Sequence, residues 1–289
     1  MSGITELIAG LRMALGPFDE IAFAVLFGSA VTGRLRLDSD LDIAVYGASG
    51  RSLEIELDRE LVGEIDMQIA AERVSGRNVD LLVLNRAPAA VCATAITTGV
   101  PLFIRDGSLY SRYVLAVTNV AIDFRETEQE WREIRSRSAS LSPTDRRRLE
   151  RVLAFLEDEL LDAAGFEQTS LMAYQQDRAL RRNLDRWVEI LSNSVIDIAK
   201  IVLASENVPV PQTYAQILEL LPSVSGFSSI PQDIRTFAAL RNVMAHEYLD
   251  LRFSRVRHFV QNDVETVRAV MAATRVWMDE PDHGEFRHD

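Results

Sequence analysis

The segment that decides the fold runs Ile21-Ala-Phe-Ala-Val-Leu-Phe-Gly28-Ser29 and, after ten further residues, Asp40-Leu-Asp42-Ile-Ala-Val-Tyr46. Its two apolar runs, 21–27 and 41–46, are rich in β-branched and aromatic residues, which is typical of buried strands. Val79–Leu84 is a third run of this kind. The sequence therefore predicts a small mixed sheet with helices, an α/β fold, in the N-terminal part of the chain.

One helix is predicted between the second and third strands, within 51–74. Apolar residues recur there at every fourth position, which is the spacing of one helix face. They are Leu53, Leu57, Leu61 and Ile65.

The rest of the chain predicts helices alone. A long helix at 110–137 is followed by a cluster of turn-forming residues, 140–145, in which Thr144 or Asp145 is expected to cap the next helix. The later predicted helices are Arg146–Ala164, Leu180–Ser205, Tyr214–Leu221, Gln232–Ala245 and Asp263–Met278. We therefore expect an N-terminal α/β domain with a trailing helix (1–139), a linker (140–145), an all-α helical bundle (146–280) and a polar tail (281–289).

Composition excludes several classes of protein. The 289 residues carry a net charge of −12, which argues against a general DNA-coating protein. A single cysteine rules out an internal disulfide, and the only lysine, Lys200, lies outside any phosphate-binding loop of the G-x-x-x-x-G-K type. Glu6 and Arg12 interrupt any signal segment, and the apolar run 21–27 is far shorter than the about 20 residues that span a membrane. A cytoplasmic protein with no membrane partner is expected.

Polar residues around the first two strands predict a metal-dependent nucleotide site. Gly28 and Gly33 let the backbone approach phosphate oxygens, and the Ser29 hydroxyl can donate to one. Asp40 and Asp42 lie two residues apart at the start of a strand, so both face the same way and suit Mg²⁺ bound together with substrate phosphates.

A third carboxylate on a neighbouring strand would complete a two-metal site and help to deprotonate the attacking hydroxyl. Asp80, at the start of the third predicted strand, is the preferred candidate. Asp66 is the alternative, but its place on the predicted helix favours a solvated surface residue. Taken alone, Asp-Ser-Asp before a strand is also compatible with a simple polar turn.

Residues 22–46, together with Asp80, resemble the minimal nucleotidyltransferases of the polymerase-beta superfamily, whose signature is Gly-Ser, ten residues, then Asp-x-Asp. The family commonly has Ala-Arg-Gly where this chain reads Val31-Thr-Gly33, so the arginine is displaced to Arg34. The resemblance implies a Mg²⁺-dependent enzyme that transfers AMP from ATP. The residues that it places around the nucleotide are Gly28, Ser29, Gly33 and Arg34.

A second group of polar residues lies near the end of the helical half, at Arg241, Asn242, His246 and Tyr248. His246 could act as general acid or base in RNA cleavage without metal, and Arg241 could stabilise charge on the phosphorane. On one ideal helix, at about 100° per residue, these two residues lie about 140° apart. Either the helix loosens there or a second chain completes the site; capping and pairing at a bundle end is the alternative interpretation.

The stretch 146–278 resembles the HEPN family, in particular the HepT-type toxins, whose motif R-x4-H-x-Y falls here on Arg241, His246 and Tyr248. The resemblance implies a homodimeric, metal-independent ribonuclease that cleaves RNA such as tRNA or mRNA, with Asn242 as a supporting residue. A basic strip downstream could hold the RNA, although a solvated helix face is the commoner reason for such a strip. Its arginines are Arg252, Arg255 and Arg257.

In toxin–antitoxin pairs of these two families, the transferase adds AMP to the tyrosine of the motif and silences the ribonuclease. The leading hypothesis is therefore a fused chain that modifies its own Tyr248. An aminoglycoside adenylyltransferase is the second hypothesis, because it also joins such a catalytic domain to a helical one, but it leaves Arg241, His246 and Tyr248 without a role. A non-catalytic helical module for dimerisation is the third.

Overall fold

The structure, a computed structural model, describes residues 2–31, 39–47, 53–57, 59–244 and 249–280. The chain divides into two compact units, Met1–Asp123 and Phe124–Asp289. The predicted polar tail, 281–289, lies outside the described residues. The predicted domains at 1–139 and 146–280, with a linker at 140–145, stay predictions.

A four-stranded mixed sheet in the order β3-β2-β1-β4 forms the centre of the first unit. Its strands are β1 (Ile21–Phe27), β2 (Leu41–Gly47), β3 (Val79–Val83) and β4 (Val100–Ile104). β1 runs antiparallel to β2 and β4, whereas β2 and β3 are parallel. The three predicted strands and the mixed sheet are confirmed. The short edge strand β4 contains Pro101, which hid it from the pattern.

Helices cover both faces of this sheet. They are α1 (Ser2–Leu15), α2 (Glu64–Ser75), α3 (Ala89–Thr98) and α4 (Gly107–Arg137), the last of which continues into the second unit. Successive side chains of a strand point to opposite faces of the sheet, so they pack into two separate hydrophobic cores. Tyr46 packs on one face against Tyr113 of α4, with 4.7 Å between ring centroids, while Ile43 packs on the other face in a core that contains Leu11 of α1.

The predicted helix within 51–74 is wrong in its first half. α2 begins only at Glu64, directly after Gly63, whose φ of 76° favours glycine. Leu53 is buried in the core on the α4 side of the sheet, whereas Leu61 is buried in the core on the α1 side. One helix face cannot reach both sides of a sheet, so the regular spacing arose from burial on two faces. Ile65, on α2 itself, is 73% exposed.

All regular elements described after α4 are helices, as the sequence predicts. They are α5 (Pro143–Glu159), α6 (Ala163–Glu167), α7 (Leu171–Gln176), α8 (Arg178–Ser205), α9 (Tyr214–Leu220), α10 (Thr236–Met244), α11 (Leu249–His258) and α12 (Val264–Met278). α8 supplies the largest buried face of this core, including Trp187, Leu191 and Val195. α7 and α11 are additional to the predicted helices. Within the described part of the chain, no helix is both long and apolar enough to cross a membrane.

Ser142, and not Thr144 or Asp145, caps α5. The Ser142 hydroxyl oxygen accepts a hydrogen bond from the backbone N–H of Asp145 at 3.1 Å, and Pro143 occupies the first turn. The same hydroxyl donates to the Asp145 carboxylate at 2.5 Å. The prediction placed the cap too late because it treated Pro143 as a breaker, although proline is well suited to the first helical position.

Candidate functional site

Two aspartates face each other at one end of the sheet. In the strand register, Phe27 of β1 lies opposite Asp42 of β2, and Asp42 lies opposite Asp80 of β3. Residues directly opposite one another point to the same face of a sheet, so both carboxylates project from one face beside the end of β1. Asp40, just before β2, is near enough for its charge to act on Asp42.

The turn after β1 brings the backbone against this pair of carboxylates. Gly28 has a φ of 70°, and a Cβ atom at that position would lie 2.0 Å from an Asp42 carboxylate oxygen. The backbone N–H of Ser29 donates a hydrogen bond to the Asp42 carboxylate. Only glycine combines that backbone angle with so close an approach, which explains why Gly28-Ser29 stands directly after the strand.

The electrostatics of the pair favour a cation. Partial burial and the negative charge of Asp80 both raise the pKa of Asp42, and the charge of Asp40 adds to this effect, while the Ser29 N–H opposes it. Asp40 and Asp80 are themselves exposed. A cation placed between Asp42 and Asp80 would remove the repulsion and would find oxygen ligands of the type that Mg²⁺ prefers.

The protein supplies only part of a complete coordination shell. Among the described residues, no group of three or more His, Cys, Asp or Glu side chains is gathered closely enough to hold one ion. Mg²⁺ commonly keeps few protein ligands and completes its shell with waters and substrate phosphates. Asp42 and Asp80 fit such a site, with Asp40 beside them. The predicted nucleotide-binding residues Gly33 and Arg34 lie outside the described residues.

Two side chains, one on α2 and one just after it, hold the segments that carry the aspartates. Gln68 donates to the carbonyl oxygen of Val79, the residue before Asp80, at 2.9 Å. Arg77 donates to the carbonyl oxygen of Ser39, the residue before Asp40, at 3.2 Å. Sequence reasoning missed both residues because an isolated polar residue on a helix or in the turn after it gives no signal of a contact with a strand. Asp66, the alternative ligand, is exposed on α2, as predicted.

In the second unit, Arg241 is held by two residues distant in sequence. Its Nε donates to the Asn193 side-chain oxygen at 3.2 Å, and its guanidinium carbon lies 4.3 Å from the centroid of the Tyr214 ring. These contacts fix the plane of the guanidinium, as recognition of a phosphate requires. The other residues assigned to this site are not placed: His246 and Tyr248 lie outside the described residues, as does the side chain of Asn242.

The predicted basic strip is not uniform. Arg252 donates to Asp185 of α8 at 3.1 Å, and both side chains are largely buried. Arg257 is exposed and Arg255 half-buried. Arg252 is therefore tied to a different helix, and the expectation that the strip holds RNA stays a prediction.

Two family models match this chain, one in its N-terminal part and one in its helical part. Residues 11–108 match the family model "Polymerase beta, Nucleotidyltransferase", and residues 147–274 match the family model "Ribonuclease HepT-like". No significant match exists among curated proteins.

One solved structure that matches, described as "Crystal structure of the toxin-antitoxin with AMP-PNP", shares 21% identity with this chain. The match covers 44% of this chain and 93% of that one, with a TM-score of 0.34. The two family matches do not overlap. One polypeptide therefore matches a nucleotidyltransferase model in its N-terminal part and a HepT-like ribonuclease model in its helical part.

Proposed function

We propose that the chain transfers AMP from ATP to Tyr248 of its own helical region, in a Mg²⁺-dependent reaction, and thereby silences a metal-independent ribonuclease. The observation that carries this proposal is the register that sets Asp42 against Asp80, with Gly28 in contact range of the same carboxylate. That arrangement provides two acidic ligands beside a backbone turn that can approach phosphate, which is what nucleotidyl transfer requires.

In the transfer step, the tyrosine oxygen forms a bond to the α-phosphorus of ATP, and the bond from that phosphorus to the departing pyrophosphate breaks. The tyrosine proton passes to a carboxylate, for which Asp80 is suited because it is exposed at the start of β3. Backbone at Gly28 and the Ser29 hydroxyl would contact phosphate oxygens, with Gly33 and Arg34 completing the loop. Mg²⁺ held by Asp42 and Asp80, with Asp40 beside them, would neutralise phosphate charge.

In the ribonuclease, His246 would move the proton of the ribose 2′-hydroxyl or of the leaving oxygen, and Arg241 would stabilise the charge of the phosphorane. The contacts of Arg241 with Asn193 and Tyr214 support this role, because they hold the guanidinium in one orientation. Asn242 would support the site through its polar side chain. No metal is needed for this chemistry, since an imidazole and a guanidinium supply the proton transfer and the positive charge.

Modification of Tyr248 would inhibit the ribonuclease through charge and bulk. Tyr248 follows His246 by two residues. An attached AMP carries a phosphodiester charge that opposes the incoming RNA phosphate, and its nucleoside occupies space that the RNA needs.

The test is incubation of the purified chain with labelled ATP and Mg²⁺, followed by peptide mapping. We expect label on Tyr248, loss of the label in Tyr248→Phe, and toxicity of that variant that His246→Ala relieves. Label on an added aminoglycoside instead would favour an antibiotic adenylyltransferase. AMP found only at other residues, with Tyr248 always bare, would contradict the proposal.

We further propose a homodimer formed through the helical region. The support is the separation of about 140° between Arg241 and His246 on one ideal helix, which a partner chain would overcome. Light scattering should report twice the chain mass of 32.4 kDa. A strict monomer that still cleaves RNA would exclude a composite site.

A further inference from the structure

The stretch 241–252, which carries the ribonuclease motif, is fastened at both of its ends to the same helix, α8. At the first end, Arg241 donates to Asn193 at 3.2 Å. At the second end, Arg252 donates to Asp185 at 3.1 Å. The two acceptors are eight residues apart on α8, which is about 12 Å along the helix axis.

We call each of these two contacts with α8 an anchor. The anchor formed by Arg252 and Asp185 is largely buried. Its side chain is 20% exposed and that of Asp185 16% exposed. The second oxygen of the Asp185 carboxylate accepts a hydrogen bond from the Tyr174 hydroxyl at 2.5 Å, so a protein donor binds each oxygen. Phe253, next in sequence to Arg252, packs against the Tyr174 ring at 4.9 Å. A largely buried arginine with this partner is poorly placed to meet RNA.

The anchor at Arg241 is also supported by buried residues that contact its partner Tyr214. The Tyr214 ring lies beneath the guanidinium, and its hydroxyl shares a hydrogen bond with the Thr127 hydroxyl at 3.1 Å. The edge of the ring meets Phe124, with 5.0 Å between centroids. Tyr214 is 3% exposed, so the surface on which Arg241 rests cannot turn away without disrupting the core.

We propose that Asp185 and Asn193 are positioning residues of the ribonuclease, which hold Arg252 and Arg241 and so set the two ends of the stretch that contains His246 and Tyr248. Arg252 is then an anchor and not an RNA contact. This inference rests on the proposed ribonuclease function, but it also predicts a coupling between two residues that can be measured separately. It requires Arg252 and Asp185 to act as one unit.

A double-mutant cycle tests that unit. In the full chain carrying Tyr248→Phe, Arg252→Gln and Asp185→Asn should each lower kcat about tenfold, the factor expected from losing one charge-assisted hydrogen bond, with KM changed far less. The double variant should lose no more than either single variant. Arg186→Gln is the matched control, because Arg186 is an exposed arginine of α8 whose ion pair is with nearby Glu189 of the same helix. Independent, multiplying losses would overturn the proposal.

Salt dependence separates an anchor from an RNA contact. The slope of log affinity for RNA against log salt should fall by about 0.7 in Arg257→Gln if that exposed arginine meets a phosphate, and should stay at the wild-type value in Arg252→Gln. A slope that falls in Arg252→Gln would overturn the proposal.

Hydrogen exchange supplies a readout that needs no activity. Backbone amides of 242–244 in α10 and 249–251 in α11 should exchange about tenfold faster in Arg252→Gln and in Asn193→Ala than in Arg186→Gln, because each anchor removed lowers the cost of local opening by one charge-assisted hydrogen bond. Unchanged exchange in both anchor variants would overturn the proposal. If the chain cleaves no RNA at all, the proposed ribonuclease fails, and this measurement still decides whether the anchors exist.

Discussion

Asp42 and Asp80 lie directly opposite each other on two parallel strands, and the charge of Asp80 raises the pKa of Asp42. Two like charges held together cost stability in the absence of a cation. Two adjacent carboxylates are therefore expected at a functional site, where a loss of folding stability is tolerated because the residues are needed for activity.

Replacement of either aspartate should separate function from stability. We expect Asp42→Asn or Asp80→Asn to lower nucleotide transfer at least about a hundredfold, because loss of charge stabilisation by a bound cation costs several kcal/mol. The melting temperature of Asp80→Asn in metal-free buffer should equal or exceed that of the wild type, since the repulsion is relieved. Asp66→Asn, on the exposed surface of α2, is the control and should retain full transfer. Normal transfer by the Asp42→Asn/Asp80→Asn double variant would exclude the site.

A methyl group at Gly28 should disrupt the turn. In Gly28→Ala, the alanine would have to adopt a φ of 70°, and its Cβ would lie 2.0 Å from a carboxylate oxygen of Asp42. Gly76→Ala is the matched control, because its φ is 65° but no atom lies within 4 Å of the added Cβ. We expect Gly76→Ala to lower the free energy of unfolding by about 1 kcal/mol, from the backbone angle alone, and to keep its transfer activity. Gly28→Ala should cost more and lose transfer; equal effects in the two variants would show that the carboxylate moves aside.

Lys200 should stabilise the helical region in a pH-dependent way. It is 4% exposed and donates to Asp197 at 2.7 Å and to Glu130. Burial alone would raise the pKa of Glu130, but the hydrogen bonds and charges of Lys200 and Arg148 together outweigh it, so that the pKa lies below its ordinary value of 4.5. We expect Lys200→Met to lower the free energy of unfolding at pH 7 by about 1–3 kcal/mol, because two partly buried carboxylates lose one of their cationic partners and keep Arg148.

The sign of the pH effect follows from the lowered pKa of Glu130. Its contribution to stability is complete above pH 4.5 and disappears as the pH falls through the folded-state pKa. Urea unfolding at a series of pH values should therefore show the deficit of Lys200→Met shrinking below about pH 4. A deficit that is the same at pH 3.5 and pH 7 would mean that lost packing, and not charge, causes it.

Asp263 should have the opposite dependence. Burial, together with the charge of Asp233, raises its pKa from 3.8 to about 6, although His258 acts against this. Stability contributed by its protonated form is complete below pH 3.8 and is lost as the pH rises through about 6. Asp263→Asn should therefore raise the melting temperature at pH 7.5 by a few degrees and have little effect at pH 4. Destabilisation at pH 7.5 would show that the ionised carboxylate has a favourable partner.

The sequence alone determined the features that depend on neighbours along the chain. The spacing of Gly28-Ser29 and Asp40-x-Asp42 follows from the alternation of side chains in one strand and from a single turn, so it could be interpreted without a structure. The long amphipathic pattern of α8 predicted the central helix for the same reason, because successive turns of one helix bury a continuous stripe.

Only the tertiary structure decided which distant residues meet. The match of Asp42 with Asp80 depends on the register of two strands joined through α2, and the partners of Arg241 and Arg252 lie on another helix. The wrongly predicted helix face at 53–65 also reflects tertiary packing, because Leu53 and Leu61 are buried on opposite sides of the sheet. Periodicity records that a residue is buried but not which side of the sheet buries it, because burial free energy depends on the area removed from water and not on the direction of the neighbour.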